Sequence, residues 1–408
     1  MTLTVLENAS LLDAAAGAVV GQRHVVVEDG RIAEVAETAP KLADARRIDL
    51  RGRTLMPGLI DAHVHVTACT ANFTELQRMS PFYVSAQAAR IMGGMLDRGF
   101  TSVRDVGGAD FGLARAASEG LIRAPRLFFG GKALSPTGGH GDTRPAGVDR
   151  YDDAYNQPGL GRIADGVPEL RRWAREEVRR GANHLKIMGN GGISSPTDRI
   201  SSDQFSREEI TAVVEEAEMA NLYVAVHAYT ARSIIRAVEL GVRSVEHGNL
   251  ADETALALIR DRNAFLVPTL AIYRALKDEG VEAGLPAELA AKIDDVLDAG
   301  LGAVEMAHRM GVQMAYGTDL LGVMHRLQSS EFALRAEVVP AADLVRAATV
   351  NGARLLCREH ELGRIAPGFL ADMIAVEGNP LDDIRLLARP EQTLGMVMRN
   401  GEVVLSRL

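Results

Sequence analysis

The chain has few cysteines and no excess of positive charge. Only two of its 408 residues are cysteines, Cys69 and Cys357, and they lie far apart in the sequence. This spacing argues against a disulfide framework and indicates a reducing compartment. Because 45 Lys and Arg residues stand against 54 Asp and Glu, the net charge is -9. The sequence therefore lacks the excess of basic residues that is typical of a protein that binds nucleic acid or an acidic membrane surface.

The sequence shows no long apolar run, and its first residues do not predict a targeting segment. The first seven residues, Met1 to Glu7, contain no basic stretch, and Asp13 interrupts the apolar residues that follow. Nowhere do about 18 apolar residues stand together, the length that a membrane-spanning helix needs. We therefore expect a cytoplasmic protein that acts neither on nucleic acid nor in a membrane.

The middle of the chain alternates apolar, strand-like segments with amphipathic, helix-like ones. Eight strands are predicted, at Leu59–Val66, Thr101–Val106, Arg126–Leu134, His184–Met188, Tyr223–Ala228, Ser244–His247, Phe265–Leu270 and Gln313–Thr318. Alternating strands and helices are typical of α/β proteins with a parallel sheet, and eight such units close into a (β/α)8 TIM barrel of ~250 residues. We assign this barrel to residues 57–360.

The two ends of the chain have a different pattern. Residues 1–56 and 361–408 contain short alternating strands separated by turns, and Asn400-Gly401 is a strong hairpin signal. We expect both ends to contribute to one small β-sandwich domain.

Residues suited to metal binding recur where the predicted strands end. His63 and His65 flank Val64, and alternation along a strand directs both imidazoles to one face. Residues with metal-binding or charged side chains also end the fourth, fifth, sixth and eighth strands, namely Lys186, His227, His247 and Asp319. Each could be structural by itself, as a helix cap, a core histidine or a partly buried lysine. Because active sites of TIM barrels lie at the C-terminal ends of the strands, the set together indicates a metal site.

These motifs resemble the amidohydrolase superfamily, and the resemblance extends from Met56-Pro-Gly-Leu-Ile-Asp-Ala-His-Val-His65 to Gly368-Phe-Leu-Ala-Asp372. It implies two divalent ions, for which imidazole and carboxylate donors favour Zn2+. By resemblance, the ligands would be His63, His65, Lys186, His227, His247 and Asp319. Lys186 would bridge the ions as a carbamate, because an ordinary lysine is a cation that would repel them. A hydroxide bridging the ions would attack the substrate while Asp319 transfers the proton.

The resemblance is closer to the branch that contains imidazolonepropionase-like proteins, Xaa-Pro dipeptidases, N-acyl-amino-acid hydrolases and ochratoxin amidohydrolase-like enzymes. His140, in a Gly-Gly-His loop, would reach a substrate carboxylate or carbonyl. Tyr229, on the same strand face as His227, would donate a hydrogen bond to the developing oxyanion. His325 matches a substrate-binding histidine of this branch, although Met-His-Arg stands where Pro-His-Gly is usual.

The segment Gly130–Pro168 is far longer than a usual βα loop of ~2–6 residues. It follows a barrel strand, so we expect a lid that shapes the substrate site. Three arginines are candidates for binding a substrate carboxylate: Arg144, Arg150 and Arg199. The sequence does not choose among them.

The predicted function is hydrolysis of the amide bond in a small, carboxylate-bearing substrate by a homo-oligomeric enzyme. Such substrates include Xaa-Pro and other dipeptides, N-acyl amino acids and ochratoxin-like aromatic amides. Deamination or imidazolone ring opening is an alternative, but Lys186 is present and Thr230 stands where deaminase relatives have a catalytic Glu. Lactone hydrolysis would use the same ligands. A non-catalytic scaffold is the alternative from another class, and an intact set of ligands argues against it.

Overall fold

The structure is a computed structural model that describes residues 3–148, 157–290 and 292–408. Its strands are β1 (Leu3–Asp13), β2 (Ala18–Glu28), β3 (Arg31–Ala36), β4 (Arg46–Asp49), β5 (Thr54–Pro57), β6 (Leu59–Val64), β7 (Phe100–Asp105), β8 (Arg126–Phe129), β9 (Ala133–Ser135), β10 (Gly161–Ile163), β11 (Leu185–Met188), β12 (Val224–Thr230), β13 (Ser244–Leu250), β14 (Phe265–Val267), β15 (Gln313–Met314), β16 (Met373–Val376), β17 (Leu394–Arg399) and β18 (Glu402–Ser406).

Helices separate most of the central strands. The α-helices are α1 (Phe73–Leu76), α2 (Pro81–Asp97), α3 (Phe111–Ser118), α4 (Gly166–Arg179), α5 (Arg207–Met219), α6 (Ala231–Glu239), α7 (Glu253–Asp261), α8 (Leu270–Glu279), α9 (Ala287–Ala290), α10 (Asp294–Arg309), α11 (Ser330–Arg335), α12 (Ala341–Arg346), α13 (Gly352–Leu355) and α14 (Pro390–Thr393). Short 3-10 turns cover Gly322–Leu327 and Ile384–Leu386, and a π-helical turn covers Ala347–Asn351.

Strands from the two ends of the chain form one sheet. Its order is β18-β17-β16-β5-β1-β2-β3, and β4 pairs with β1. The chain reverses between β17 and β18 at Asn400 and Gly401, whose φ angles of 52° and 79° suit the tight hairpin turn that the sequence predicts. The meeting of the two chain ends in one sheet thus agrees with the expectation. A two-layered sandwich and the domain bounds of residues 56 and 361 stay predictions.

The central strands are parallel and lie in two sheets, with the orders β6-β7-β8 and β10-β9-β11-β12-β13-β14-β15. Hydrogen bonds also connect the edges of these sheets: among them, the Ala62 N–H donates to the Tyr316 carbonyl at 2.7 Å, and the Asn183 N–H donates to the Phe129 carbonyl at 2.8 Å. The α/β class is therefore correct. Closure into a (β/α)8 barrel stays a prediction that these edge contacts favour.

Three predicted strands differ from those observed. The predicted third strand is two strands, β8 and β9, because the chain turns at Gly130-Gly131, where Gly131 has φ 73° and an added Cβ would lie 2.1 Å from Glu177 Oε2. Pro268 follows β14 directly and supplies no N–H for further pairing, so the seventh strand is shorter. The last central strand, β15, has only two residues. In addition, β10 lies inside the segment predicted as a lid.

Alternation along the strands separates the core from the site. On β12, Val224, Val226 and Ala228 pack in the main hydrophobic core, whereas His227 and Tyr229 point to the other side and line a cavity. Cys69 and Cys357 are unpaired. Among the described residues, no helix combines the length and the apolar character needed to span a membrane. The cytoplasmic location and the homo-oligomer stay predictions.

Candidate metal centre

One cavity of about 640 Å³ lies at the C-terminal ends of the central strands. Eight of the nine predicted site residues line it: His63, His65, His140, Lys186, His227, Tyr229, His247 and Asp319. They come from five strands or strand ends and one loop, so residues that are up to 256 positions apart in the sequence meet here. This convergence is what the sequence pattern predicted.

His63, His65 and Asp319 form the tightest group. The Oδ1 atom of Asp319 lies 3.3 Å from His63 Nε2 and 3.2 Å from His65 Nε2, and one candidate ligand atom from each residue lies within 4.8 Å of the others. The second nitrogen of each imidazole is already engaged, because His63 Nδ1 lies 2.8 Å from Glu246 and His65 Nδ1 lies 2.8 Å from the Gly107 carbonyl. Such outer contacts orient histidines that bind a metal through the other nitrogen.

His227 and His247 stand beside this group. Their ring centroids are 4.6 Å apart, and His247 is 4.9 Å from His63. His247 Nδ1 lies 2.8 Å from Thr269 Oγ1, which leaves Nε2, while His227 Nε2 lies 3.3 Å from the Gly191 carbonyl, which leaves Nδ1. Burial lowers the pKa of both imidazoles well below the ordinary value, so they are neutral, as metal ligands must be.

Two of these side chains depend on unusual backbone conformations. His247 has φ 74° and Asp319 has φ 56°, in the left-handed region that residues other than glycine rarely adopt. In β13, Glu246 lies directly before His247, and strict alternation would direct them to opposite faces. The left-handed residue within β13 breaks that alternation, so both can contact His63. Backbone strain of this kind is typical of functional sites.

Lys186 lies in β11 and is buried beneath the histidines. Burial lowers its pKa to about 8, against the opposing effect of the Glu246 and Asp319 carboxylates. At a given pH, a larger fraction of Lys186 is therefore present as the neutral amine than for a lysine on the surface. Four imidazoles, a carboxylate and this lysine form a set of donors that fits divalent transition metals.

Sequence reasoning missed Glu246 and Arg104, which support His63 from below. The Glu246 carboxylate accepts hydrogen bonds from Arg104 Nη2 at 2.7 Å and Ser244 Oγ at 2.5 Å, and Arg104 Nε donates to the Ala62 carbonyl at 2.6 Å. Burial acts to raise the pKa of Glu246, but Arg104 and His63 lower it by more, so the carboxylate is ionised. The available signal was two charged residues inside apolar strands, at Val103-Arg104 and Val245-Glu246.

Tyr229 faces the cavity and has a second tyrosine behind it. Its ring lies edge-on to His227 with the centroids 4.7 Å apart, and its hydroxyl accepts a hydrogen bond from Tyr273 at 3.3 Å. Burial raises the pKa of Tyr229, so the phenol stays protonated and its own hydrogen is available to donate. Tyr273, which also lines the cavity, was not predicted.

His140 lies in the loop that follows β9 and contacts His227, one of the candidate metal ligands. Its ring stacks on His227 with the centroids 4.3 Å apart and the planes at 30°, and its Nδ1 lies 2.9 Å from Ser195 Oγ. Burial lowers its pKa to about 4. The ring therefore reaches the cavity as a neutral hydrogen-bonding group.

The remaining predicted residues that the structure describes do not line this cavity. His325 is buried, and its Nε2 lies 3.1 Å from the Ala68 carbonyl while its ring lines a separate groove, so the geometry does not support a substrate contact. Arg144 pairs with Asp142 at 2.7 Å, and Arg199 is exposed away from the lining. Arg150 lies outside the described residues. Thr230 accepts a hydrogen bond from the Ser233 N–H at 3.3 Å and caps α6.

Comparison with known proteins agrees with this geometry. A family model described as the amidohydrolase family matches residues 54–404. An ochratoxinase of Aspergillus niger is 33% identical over 383 residues, which cover 90% of this chain and 80% of the relative. A solved prolidase in complex with N-methylphosphonate-L-proline is 44% identical over 100% of both chains, with a TM-score of 0.97. A solved Xaa-Pro dipeptidase with methionine in its active site is 30% identical over 98% of this chain and 99% of its own, with a TM-score of 0.89.

Proposed function

Because the chain belongs to the amidohydrolase family, we propose that it is a binuclear metal-dependent hydrolase of amide bonds in small, carboxylate-bearing substrates. The candidate substrates are Xaa-Pro and other dipeptides, N-acyl amino acids and ochratoxin-like aromatic amides. One observation carries the proposal: all six predicted metal ligands line the same cavity. The prolidase and ochratoxinase relatives support the choice of substrates.

Two metal sites can be proposed from the arrangement of donors. His63, His65 and Asp319 would hold one ion, His227 and His247 the other, and Lys186 would lie between them. When bound, the ions would lower the pKa of a water molecule towards ~7 and polarise the substrate carbonyl. Zinc is our choice, since its usual ligands are imidazole and carboxylate.

The bridging role of Lys186 requires a chemical change. Its neutral amine would attack carbon dioxide, form an N–C bond and release one proton, which yields a carbamate anion. The lowered pKa of Lys186 favours this reaction, because only the unprotonated amine has a lone pair to donate. The resulting carboxylate would provide two oxygen donors where a lysine cation would repel metal ions.

Asp319 would transfer the proton. Its carboxylate lies at the edge of the cavity between His63 and His65, and these imidazoles lower its pKa well below the ordinary value despite its burial. It can therefore accept a proton from the attacking water and pass it to the leaving nitrogen. That transfer is needed because an amine leaves poorly as an anion.

Tyr229 and His140 would act on the substrate. The Tyr229 hydroxyl would donate to the carbonyl oxygen as negative charge develops there, and His140 would contact the carboxylate or carbonyl of the substrate. The rest of the lining includes the apolar side chains Phe73, Leu160, Ile193, Ile272, Leu276 and Leu321. This surface suits an aliphatic or aromatic side chain on the substrate.

The test is a hydrolysis screen over matched dipeptides and N-acyl amino acids, combined with elemental analysis of the purified protein. We expect about two divalent ions per chain, activity on apolar members of the library and loss of that activity on chelation. Re-addition of Zn2+ should restore it. Full activity in a sample with one ion or none per chain would refute the binuclear centre, and a metal-loaded protein that cleaves no amide would refute the substrate class.

A further inference from the structure

A lysine outside the predicted site anchors the loop that borders the cavity. Lys292 lies between α9 and α10, and its Nζ donates to the backbone carbonyls of Gly192 at 3.0 Å, Ser195 at 2.9 Å and Asp198 at 2.8 Å. An ammonium group has three hydrogens to donate. All three thus have acceptors in one seven-residue loop, and the side chain is only 21% exposed.

The same loop holds the ring of His140. Ser195 is fully buried, and its Oγ contacts both His140 Nδ1, at 2.9 Å, and the Asp198 carboxylate. Because Asp198 can only accept, the hydroxyl hydrogen points to it, and Ser195 Oγ accepts from the His140 Nδ1–H. The orientation of the imidazole therefore depends on where this loop places Ser195.

The backbone of His140 is connected to the same carboxylate. Gln204 Oε1 accepts from the His140 N–H at 3.0 Å, and Gln204 Nε2 donates to Asp198 Oδ2 at 2.9 Å. Hydrogen bonds therefore connect both the ring and the main chain of His140 to Asp198. The position of Asp198 in turn depends on Lys292. The Nζ of Lys292 also lies 3.5 Å from Asp198 Oδ1.

The loop also limits the ring sterically. A Cβ added at Gly192 would lie 2.0 Å from His140 Cε1, so the backbone of this glycine lies close against the imidazole. On its other side the ring stacks on His227. His140 is enclosed between the loop and a proposed metal ligand, and a shift of the loop would leave room for the ring to turn.

We propose that Lys292 and Ser195 are positioning residues that determine substrate selectivity by fixing His140. This inference rests on the proposed function, in which His140 contacts the substrate. It assigns a role to a loop that supplies no metal ligand and to a cation that does not line the cavity. Groups that hold a substrate contact within a fraction of an ångström control how often a bound substrate is correctly placed.

A double-mutant cycle tests whether Lys292 acts through His140. We expect Lys292→Met to reduce discrimination between a free-acid substrate and its amide by about tenfold, the scale of one lost hydrogen bond to a charged group, with unchanged metal content. In a His140→Ala background, Lys292→Met should cause a further loss of less than about twofold, the margin to which independent effects add. A full second loss in the double mutant, or metal loss in Lys292→Met, would overturn the proposal.

Lys277→Met is the matched control. Lys277 forms an exposed pair with Asp294 at 2.8 Å in the same part of the chain, so its removal should leave this discrimination unchanged. If Lys292→Met does not fold, Ser195→Ala is the second variant, because it removes the hydroxyl that connects the ring to Asp198 and leaves the Lys292 contacts in place. Ser201→Ala is its exposed control. Ser195→Ala must then show the same non-additivity with His140→Ala, and additive losses would overturn the proposal.

A measurement without substrate separates this inference from the proposed function. Arg199 is exposed and follows the anchored loop, so trypsin should cleave after it faster in Lys292→Met than in the wild type or in Lys277→Met. Equal cleavage, followed by mass spectrometry, would refute the anchoring role even if the enzyme hydrolyses amides. Faster cleavage in a protein that hydrolyses no amide would instead refute the proposed function and the role in selectivity. In that case only the anchoring of the loop by Lys292 would be supported.

Discussion

The two sides of the cavity are supported in different ways. On the strand side, His63 is fixed by Glu246, and Glu246 by Arg104, through charged side chains that are completely buried. On the loop side, His140 is fixed by Ser195, and the loop by Lys292, mostly through contacts to backbone carbonyls near the surface. The strand side can change only if several core residues change together, whereas the loop side is anchored to the rest of the protein mainly by one partly buried lysine.

This difference indicates that the two sides of the cavity have different roles. Metal ligands need fixed positions, and buried strands provide them because the dense core allows little movement. Residues that select a substrate are often on loops, because loops tolerate changes in sequence without loss of the fold. We therefore expect substitutions on the strand side to affect metal binding and turnover, and those on the loop side to affect selectivity.

The largest effect should come from Lys186→Ala, which removes the proposed bridge between the ions. We expect metal content to fall well below two ions per chain and turnover to be lost, with partial rescue by formate or acetate, which can supply a carboxylate. Lys132→Ala is the control, since Lys132 is another lysine whose pKa burial lowers to about 8, but its Nζ donates to the carbonyls of Gln157 and Gly159. Normal metal content in Lys186→Ala would contradict the bridge.

Asp319→Asn should leave the fold intact and lower kcat by at least about 10²-fold, because an amide cannot accept the proton. Kinetics and metal content should be measured on the same sample, so that a loss of metal is not mistaken for a loss of proton transfer. Asp343→Asn offers a control, as Asp343 pairs with His308 at 3.0 Å on the outside of the molecule. Near-normal kcat in metal-loaded Asp319→Asn would remove its proposed role.

Glu246→Gln tests the support beneath His63. We expect metal affinity to fall about 10- to 100-fold, as for other outer ligands of metal-binding histidines, and kcat to recover at high metal concentration. The free energy of unfolding should fall by roughly 3–5 kcal/mol, because the buried charge of Arg104 would lose the opposite charge that compensates it. Glu216→Gln, which breaks the Arg171 and Arg175 pairs far from the cavity, should leave metal affinity unchanged. Equal affinities in the two variants would show that Glu246 does not support the centre.

The smallest effect should come from His140→Ala on the loop side, and we expect it in substrate discrimination. Removing one hydrogen bond to a charged group should reduce discrimination between a free-acid substrate and its amide by about tenfold. Metal content should stay normal. His360→Ala, which removes an exposed histidine, should show wild-type discrimination. Unchanged discrimination in His140→Ala would return His140 to a structural role.

The sequence allowed the meeting of these residues at one cavity to be predicted because their pattern is local. His63 and His65 are spaced by two, His227 and His247 lie in the C-terminal parts of apolar strands, and Asp319 follows another, so locating the strands located the residues. Their role as metal ligands stays a prediction. The sequence did not predict Arg104 supporting Glu246, since this contact joins β7 to β13 across 142 positions. It could not predict Lys292 either, because nothing near this residue in the sequence distinguishes it from a surface lysine.

The missed features of the fold have the same origin. The break between β8 and β9 depends on Glu177, which fills the space that a side chain at position 131 would need. The left-handed φ of His247 occurs where its strand borders the cavity, and the conformational propensity of histidine does not predict it. His325 followed a family pattern, yet its ring contacts Ala68 and turns away from the cavity. Each of these outcomes depends on a neighbour distant in sequence.

The anchoring of the loop at Gly192 to Asp198 has a practical consequence for enzyme design. Lys292 binds this loop mainly through main-chain carbonyls, which every residue type possesses, while Ile193 and Ser194 between the anchored positions line the cavity. A library that randomises these two positions and keeps Gly192, Ser195 and Lys292 should therefore change which amides the protein accepts without disturbing the proposed metal ligands.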